Sequence, residues 1–362
     1  MYQVATVTDP SDWKQFVAVQ RRLYRRQPAA IPLPEFELRR LLDRRGNPVL
    51  QRRTLYLLLV LRDGDPVGRC SLLLPRADGE NHALFGFFEC VRDQHAADAL
   101  LTRAEALCAA RGVRSLHGPF SPDTAGLTGV QLDRFDETNV LGEPCALPYY
   151  ARLFEDAGYA LEQEGRTWRS TTLREDAAAL TAALPVRRSR YRLETIPFPR
   201  LRDGIRDLAA VFDDAFRENW SRDAMTREEY FYSAQYLLPA WIHGGMGIVY
   251  DGAQPAGATV FMADINPVFR CAHRLPRVLT LLRARRHARK TRRIVAFAMG
   301  MLPRYQNSAA GLQLVRHFAD IAGRYDCMHT TWITKGNLGS ERICARFGLQ
   351  PWRSFGVYRK DI

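Results

Sequence analysis

The sequence predicts an α/β (α+β) protein built as two tandem domains, each a mixed central sheet flanked by helices. Its 362 residues are more than one compact core usually takes. Its two halves also repeat the same order of strand and helix signals. A local observation adds to this. Residues 299–312, MGMLPRYQNSAAGL, read as an apolar strand, a small-residue loop and a helix that opens at the loop.

The first half opens with a strand at 3–7 and a helix at about 11–25, whose aromatic and apolar residues recur at helical spacing. Strands at 54–61 and 66–74 flank the turn Asp63-Gly64-Asp65. A strand near 83–89 leads into a helix at about 93–111, and a strand at 115–117 runs into a Gly/Pro/Asp-rich loop. A short helix at 149–157 stops at Gly158, and a strand near 165–172 closes the half. The Ala-rich stretch 175–183, with Pro185 and Arg187-Arg188 behind it, is the expected joint. The boundaries are therefore residues 1–174, a linker at 175–189, and residues 190–362.

The second half repeats the order. It has a strand at 191–196, helices near 203–218 and 227–237, and strands at 246–250 and 257–263. A basic insertion at 267–293 follows, then a strand at 294–302 and a helix at 310–324. A strand at 327–334, a helix at 338–347 ending at Gly348, and a strand at 355–359 complete the chain.

Composition is that of a globular protein, 46% hydrophobic and 25% charged, and no stretch approaches the roughly 20 apolar residues of a membrane span. The start lacks a basic-then-apolar leader, so a cytoplasmic protein is expected. Seven scattered cysteines without a C-x-x-C pair fit free thiols, with no metal site. Net charge is +13, and its placement is uneven. Residues 265–319 contain no acidic side chain, while Arg270 to Arg293 holds ten Lys or Arg interleaved with Leu275, Val278, Leu279, Leu281 and Leu282. Such a segment attracts phosphates of a cofactor, lipid headgroups or nucleic acid, or it is simply a solvated surface. No nucleic-acid recognition motif accompanies it, so nucleic acid is not expected as a partner.

A small-residue loop lets backbone N–H groups approach an anion, and a helix N-terminus adds partial positive charge; together they make a pyrophosphate cradle. Gln306, Ala309 and Gly311 stand in a Q-x-x-A-x-G pattern. This resembles the Q/R-x-x-G-x-G/A loop with which the GNAT acyltransferase superfamily holds the pyrophosphate of coenzyme A. Nearly end to end, the chain is similar to the tandem-GNAT proteins of bacteria. In the first half the matching stretches are Asn47-Pro48, Gly86-Phe87-Phe88-Glu89, Gly118-Pro119-Phe120-Ser121, Phe135-Asp136, Pro148-Tyr149-Tyr150 and Gly158. In the second they are Asn219-Trp220, Asp264-Ile265-Asn266, Pro303-Arg304-Tyr305-Gln306, Asn337 and Phe347-Gly348. Some similar proteins act as bacterial ceramide synthases, which acylate the amine of a sphingoid base.

The resemblance implies direct attack of an amine on a thioester, with acyl-CoA as co-substrate. It places the pantetheine arm along Ala298, Gly300, Met301 and Leu302, and the pyrophosphate on Gln306, Asn307, Ser308, Ala309, Ala310, Gly311 and Leu312. Ala309 stands where the family more often has Gly, tolerable if that residue needs no positive φ. Asn337 is an N-cap, with or without contact to the cofactor. Cys344 occupies the position of a Tyr general acid in many GNAT enzymes, leaving the thiolate unassisted or served by Tyr305 or Tyr358. Asp264, with Asn266 on the same strand face, is the first choice as general base. Asp213, Asp214, Glu218 and His329 are rivals, and His329 also fits a satisfied sheet histidine.

In the first half the corresponding loop, residues 91–98, lacks glycine and carries Asp93 and Asp98, so it is not expected to hold a pyrophosphate. That half instead shapes the acceptor pocket through Phe87, Phe88, Phe120, Tyr149 and Tyr150, unless these are core. The acceptor is a lipid-like amine such as a sphingoid base, approached by peripheral contact of the basic insertion with the inner face of the membrane, or a soluble amine. Acyl carrier protein as donor and a non-catalytic ligand-binding pair are the further alternatives.

Overall fold

The computed structural model describes residues 1–76, 80–122, 127–184, 189–215, 226–306 and 308–362. Pro185, Arg187, Arg188, Glu218, Asn219, Trp220 and Asn307 lie outside the described residues. The first half contributes the strands β1 (Tyr2–Thr6), β2 (Arg53–Arg62), β3 (Asp65–Pro75), β4 (His82–Cys90), β5 (Ser115–Gly118), β6 (Val130–Gln131) and β7 (Ala160–Ser170). The second contributes β8 (Arg192–Thr195), β9 (Trp241–Asp251), β10 (Gln254–Ala263), β11 (Arg293–Met301), β12 (Cys327–Thr330), β13 (Ile333–Thr334) and β14 (Gln350–Asp361).

Local chemistry sets the early elements. Asp9 accepts hydrogen bonds from the N–H groups of Ser11 and Asp12, and Pro10 stands at the first turn, so the helix Pro10–Tyr24 starts there. Asp63 and Gly64 both have positive φ, the geometry of a tight hairpin between β2 and β3. Alternation along β2 then divides two cores. Leu55, Leu57 and Leu59 pack on Phe16, Val17 and Val19 of the first helix. Leu58 and Val60 face Leu100, Leu101 and Ala104 of the helix Gln94–Ala109 on the other side.

All strands join one sheet in the order β1-β2-β3-β4-β5-β14-β7-β12-β11-β10-β9-β8, with β6 and β13 off this path. Among the described strands only β4–β5 and β11–β12 run parallel. The two halves are stitched at the centre. The chain's last strand, β14, lies between β5 and β7, with Tyr358 opposite Gly118 and Phe355 opposite Gly165. In turn β7 reaches the second half, pairing Ser170 with Met328 and Arg169 with His329. The helix Leu173–Ala183 follows β7 and buries Leu173 and Ala177 in the second half's core beside Phe347 and Leu349. The expected single strand at 327–334 is broken at Thr331-Trp332 into β12 and β13.

Every cysteine is a free thiol. Among the described residues no helix is long and apolar enough to cross a membrane, and no group of His, Cys, Asp and Glu could hold a metal ion.

Candidate active site

The site begins with a misfit in the sheet. Val260 of β10 stands opposite Ala298 of β11, but Phe261 stands opposite Ala296, so Phe297 is an extra residue, a β-bulge. A bulge bends its strand and adds twist. Accordingly β11 and β12 pair only from Arg293–Cys327 to Ala296–Thr330. The last links across are Thr331 N–H to the Ala296 carbonyl at 3.1 Å and Thr331 Oγ1 to the Phe297 carbonyl at 2.8 Å. Beyond them the two strands part.

A cavity of about 450 Å³ opens in that gap and runs between the halves. Ala296, Phe297, Ala298 and Met299 line one wall, Thr331 and Trp332 another, and the helices Leu201–Ala215 and Arg227–Leu237 a third. The first half closes it with Leu73, His82, Leu84 and Phe120. Most of these side chains are apolar, with a few polar groups among them, the usual constitution of a small-molecule site. Asn337, the N-cap of the helix Leu338–Arg346, accepts from Ser340 N–H at 3.1 Å and lines the cavity beside Cys344.

At its far end β11 delivers the chain to the loop singled out from sequence. Pro303–Tyr305 form a 3₁₀ turn, and Ser308 caps the helix Ala309–Ala322. Ser308 Oγ accepts from Ala310 N–H at 3.1 Å and donates to the Tyr305 carbonyl at 2.6 Å. Ala309 is the first helical residue, so its methyl meets no backbone penalty. A Cβ on Gly311 would meet only Met301 Sδ, at an ordinary 3.8 Å. No acidic side chain sits in the first turn, which leaves the helix end bare of carboxylates. Met299 joins loop and cavity: it lines the cavity and packs on the cluster of Leu302, Tyr305 and Ala310.

The first half differs at the matching place. Asp93 caps the helix Gln94–Ala109 from within, accepting from His95 N–H at 3.1 Å, and its other oxygen pairs with Arg62 at 3.3 Å. A carboxylate there already occupies the positive helix end. Of the aromatics expected around an acceptor, Phe120 lines the main cavity. Phe87, Phe88 and Tyr150 border a smaller void of about 100 Å³ between the halves. Tyr149 donates to the Cys90 carbonyl at 2.8 Å.

The residues named as catalytic from sequence do not gather at the cavity. Asp264 is buried, accepts from the N–H groups of Leu141 and Asn266 at 3.1 Å each, and faces Arg293 at 3.5 Å. Burial pushes its carboxyl above the usual range, against those partners. Asn266 donates to the Asn139 carbonyl at 2.7 Å. Both therefore hold the loop 139–143 of the first half, and a Cβ on its Gly142 would stand 3.2 Å from the Phe297 ring. Their contact with the site runs through the bulge.

Tyr305 donates to Asp251 at 3.2 Å, and Tyr358 to Glu155 at 3.1 Å. His329 is buried with its edge toward Trp352, and burial, reinforced by Arg293, Arg169 and Arg353, pushes its pKa down to about 3. Among the cofactor residues, Ala298 and Asn337 line the cavity, while Gly300 packs under Phe212 of the helix Leu201–Ala215. Sequence reading missed Tyr230, which lines the cavity and donates to Asp213 at 3.1 Å. It missed His82, which lines the cavity beside Arg53, and Trp332 as well. Tyr230 and His82 sit at ordinary helix and strand positions and Trp332 in the break between β12 and β13, none with a local motif.

No protein-family model matches the chain. It is similar to Protein YghO of Escherichia coli (strain K12), 24% identical over 375 residues that span 99% of this chain and 95% of that protein. It is also similar to Bacterial ceramide synthase of Caulobacter vibrioides (strain NA1000 / CB15N), 23% identical over 380 residues, 99% of this chain and 97% of that one. Among solved structures, a tandem GNAT protein from the clavulanic acid biosynthesis pathway matches with a TM-score of 0.59 at 14% identity, covering 100% of this chain and 98% of its own. A GCN5-related N-acetyltransferase from Sphaerobacter thermophilus matches at 0.53 and 12%, covering 99% and 95%. With one mixed sheet to which each half brings one parallel pair, and likeness to these structures over its whole length, the chain has the tandem GNAT fold.

Proposed function

We propose that the protein is an N-acyltransferase that moves an acyl group from a coenzyme A thioester to a primary amine, with the second half holding the donor. The observation that carries this reading is the gap between β11 and β12, with a bare helix end on one side and an apolar cavity on the other. The positive end of the helix Ala309–Ala322 holds the pyrophosphate, and the edge of β11 at 298–301 takes the pantetheine arm. The thioester then lies where the strands part.

The amine nitrogen attacks the thioester carbon; the C–N bond forms as the C–S bond breaks. The proton leaving nitrogen passes to the Tyr230 oxygen as the Tyr230 hydroxyl hands its own proton to Asp213, and the departing thiolate takes a proton from water to end as the free thiol. Cys344 takes no covalent part. Burial pushes its thiol up to about 12, so it stays protonated beside the leaving sulfur and is a poor nucleophile.

Cavity size supports a long acyl group. The cavity of about 450 Å³ is lined mostly by apolar side chains, space that suits an alkyl chain. The named activity of the Caulobacter relative, ceramide synthase, supports a lipid amine such as a sphingoid base as acceptor. Thiol release measured with acyl-CoAs from acetyl to stearoyl, against a sphingoid base and water-soluble amines, tests the reading. Release that rises with chain length and needs the lipid amine is expected. Absence of release with every pairing would overturn it.

A further inference from the structure

We infer that the outer face of the helix Arg277–Ala288, together with Phe198, docks on an anionic lipid bilayer. The helix is anchored from below: Thr280, Ala284 and Ala288 are buried, and Arg285 donates to the Trp241 carbonyl. Its opposite face starts apolar and ends basic. Val278, Leu279 and Leu282 are 67%, 48% and 61% exposed, which no need of the core explains. One turn further on, Arg283, Arg286 and Arg289 are exposed and form no ion pair among the described residues. Residues 265–319 supply no carboxylate to neutralise them.

Phe198 extends the apolar face. It is 52% exposed, and its ring stands edge-on to Trp241 at 6.2 Å. Trp241 lines the large cavity, as does Leu238 of the turn on which the helix packs. The exposed apolar side chains thus lie directly outside a wall of the cavity. Apolar side chains that enter the acyl boundary beside guanidinium groups at headgroup phosphates are the chemistry of a helix lying in a membrane interface. A nucleic acid or an acidic protein would use the arginines and leave Val278, Leu279 and Leu282 in water. The inference rests on this surface and needs no acyl transfer.

Co-sedimentation of the whole protein with phosphatidylglycerol-containing vesicles, and with phosphatidylcholine vesicles alone, tests it. Binding to the first and not the second is expected, weakening as salt rises. The combined change Arg283→Glu, Arg286→Glu, Arg289→Glu should lower affinity at least about tenfold, at about one kcal/mol per charge near such a surface. The combined change Val278→Ser, Leu279→Ser, Leu282→Ser should lower it by a similar factor. All six side chains are exposed, so melting temperature should hold in both variants. Wild-type protein that ignores anionic vesicles, or a serine variant that binds as wild type, would overturn the inference. So would a dimer in solution that the serine variant disperses. Thiol release with a water-soluble amine and no vesicles reports the acyltransferase separately, so either claim can fail without the other.

Discussion

The indole of Trp332 lies over Gly165, where an added Cβ would fall 1.6 Å from Nε1. Gly165 belongs to β7, opposite both Thr334 of β13 and Phe355 of β14, while Trp332 occupies the break between β12 and β13 and lines the cavity. A strand of the first half thereby sets a wall of the cavity between the halves. Gly165→Ala should push the indole out of place and cost about 1–3 kcal/mol in urea unfolding, as overpacking does. The proposed enzyme should then show a raised KM for its longest acyl-CoA.

Ala296 faces the cavity just before the bulge at Phe297. Ala296→Phe should fill space that a long acyl chain would occupy. Turnover with stearoyl-CoA is expected to fall at least about tenfold relative to acetyl-CoA, the scale on which pocket volume discriminates a few methylenes. Competition kinetics between the two donors reads this directly.

Asp264 and Tyr230 separate loop-holding from chemistry. Asp264 accepts from Leu141 N–H and fixes the loop beside Phe297, whereas Tyr230 lines the cavity with Asp213 behind it. Tyr230→Phe should lower kcat by about 10²–10⁴, the range of a lost proton acceptor. Asp264→Asn should keep kcat within a few-fold, and Asp264→Ala should chiefly lower stability. A collapse of kcat in Asp264→Asn without loss of fold would return the base to Asp264.

Glu89 gives the fold a pH dependence. It is buried in the first half beside Arg69 and accepts from the Tyr150 hydroxyl at 3.0 Å. Burial, opposed by Arg69, raises its pKa from 4.5 to about 7. Between those values the folded protein holds a proton that the unfolded chain has released, so stability falls as pH rises across the interval. The change is about 3 kcal/mol at about 1.36 kcal/mol per unit. His329 acts in the opposite sense, its depressed value letting stability rise with pH from about 3 to 6.5. The Glu89 contribution is therefore the difference between wild type and Glu89→Gln in denaturant titrations at pH 5 and pH 7.5, and the variant should lack that decline.

Much of the fold is legible in the sequence because its signals are local. The Asp63-Gly64 hairpin, the apolar run of β2 and the helix start at Ser308 are all encoded within a few residues of themselves. What is not local is not legible. The exchange of β7 and β14 between the halves depends on pairings nearly 200 residues apart, such as Gly165 with Phe355. The bulge at Phe297 is a property of two strands in register, and nothing in the string AFAMG announces it. Asp264 drew attention as a carboxylate at a strand end, but its partner is Leu141 N–H in the other half. Tyr230 looks like any half-apolar helix residue until the cavity is seen.

Isothermal calorimetry with free coenzyme A and a series of acyl-CoAs tests the central claim most directly. Heat of association is expected for the free coenzyme, with tighter binding as the acyl chain lengthens, and Gly311→Glu should abolish both by setting a carboxylate at the bare helix end. A protein that releases no heat with any of these ligands, or a Gly311→Glu variant that binds them as wild type does, would contradict the account.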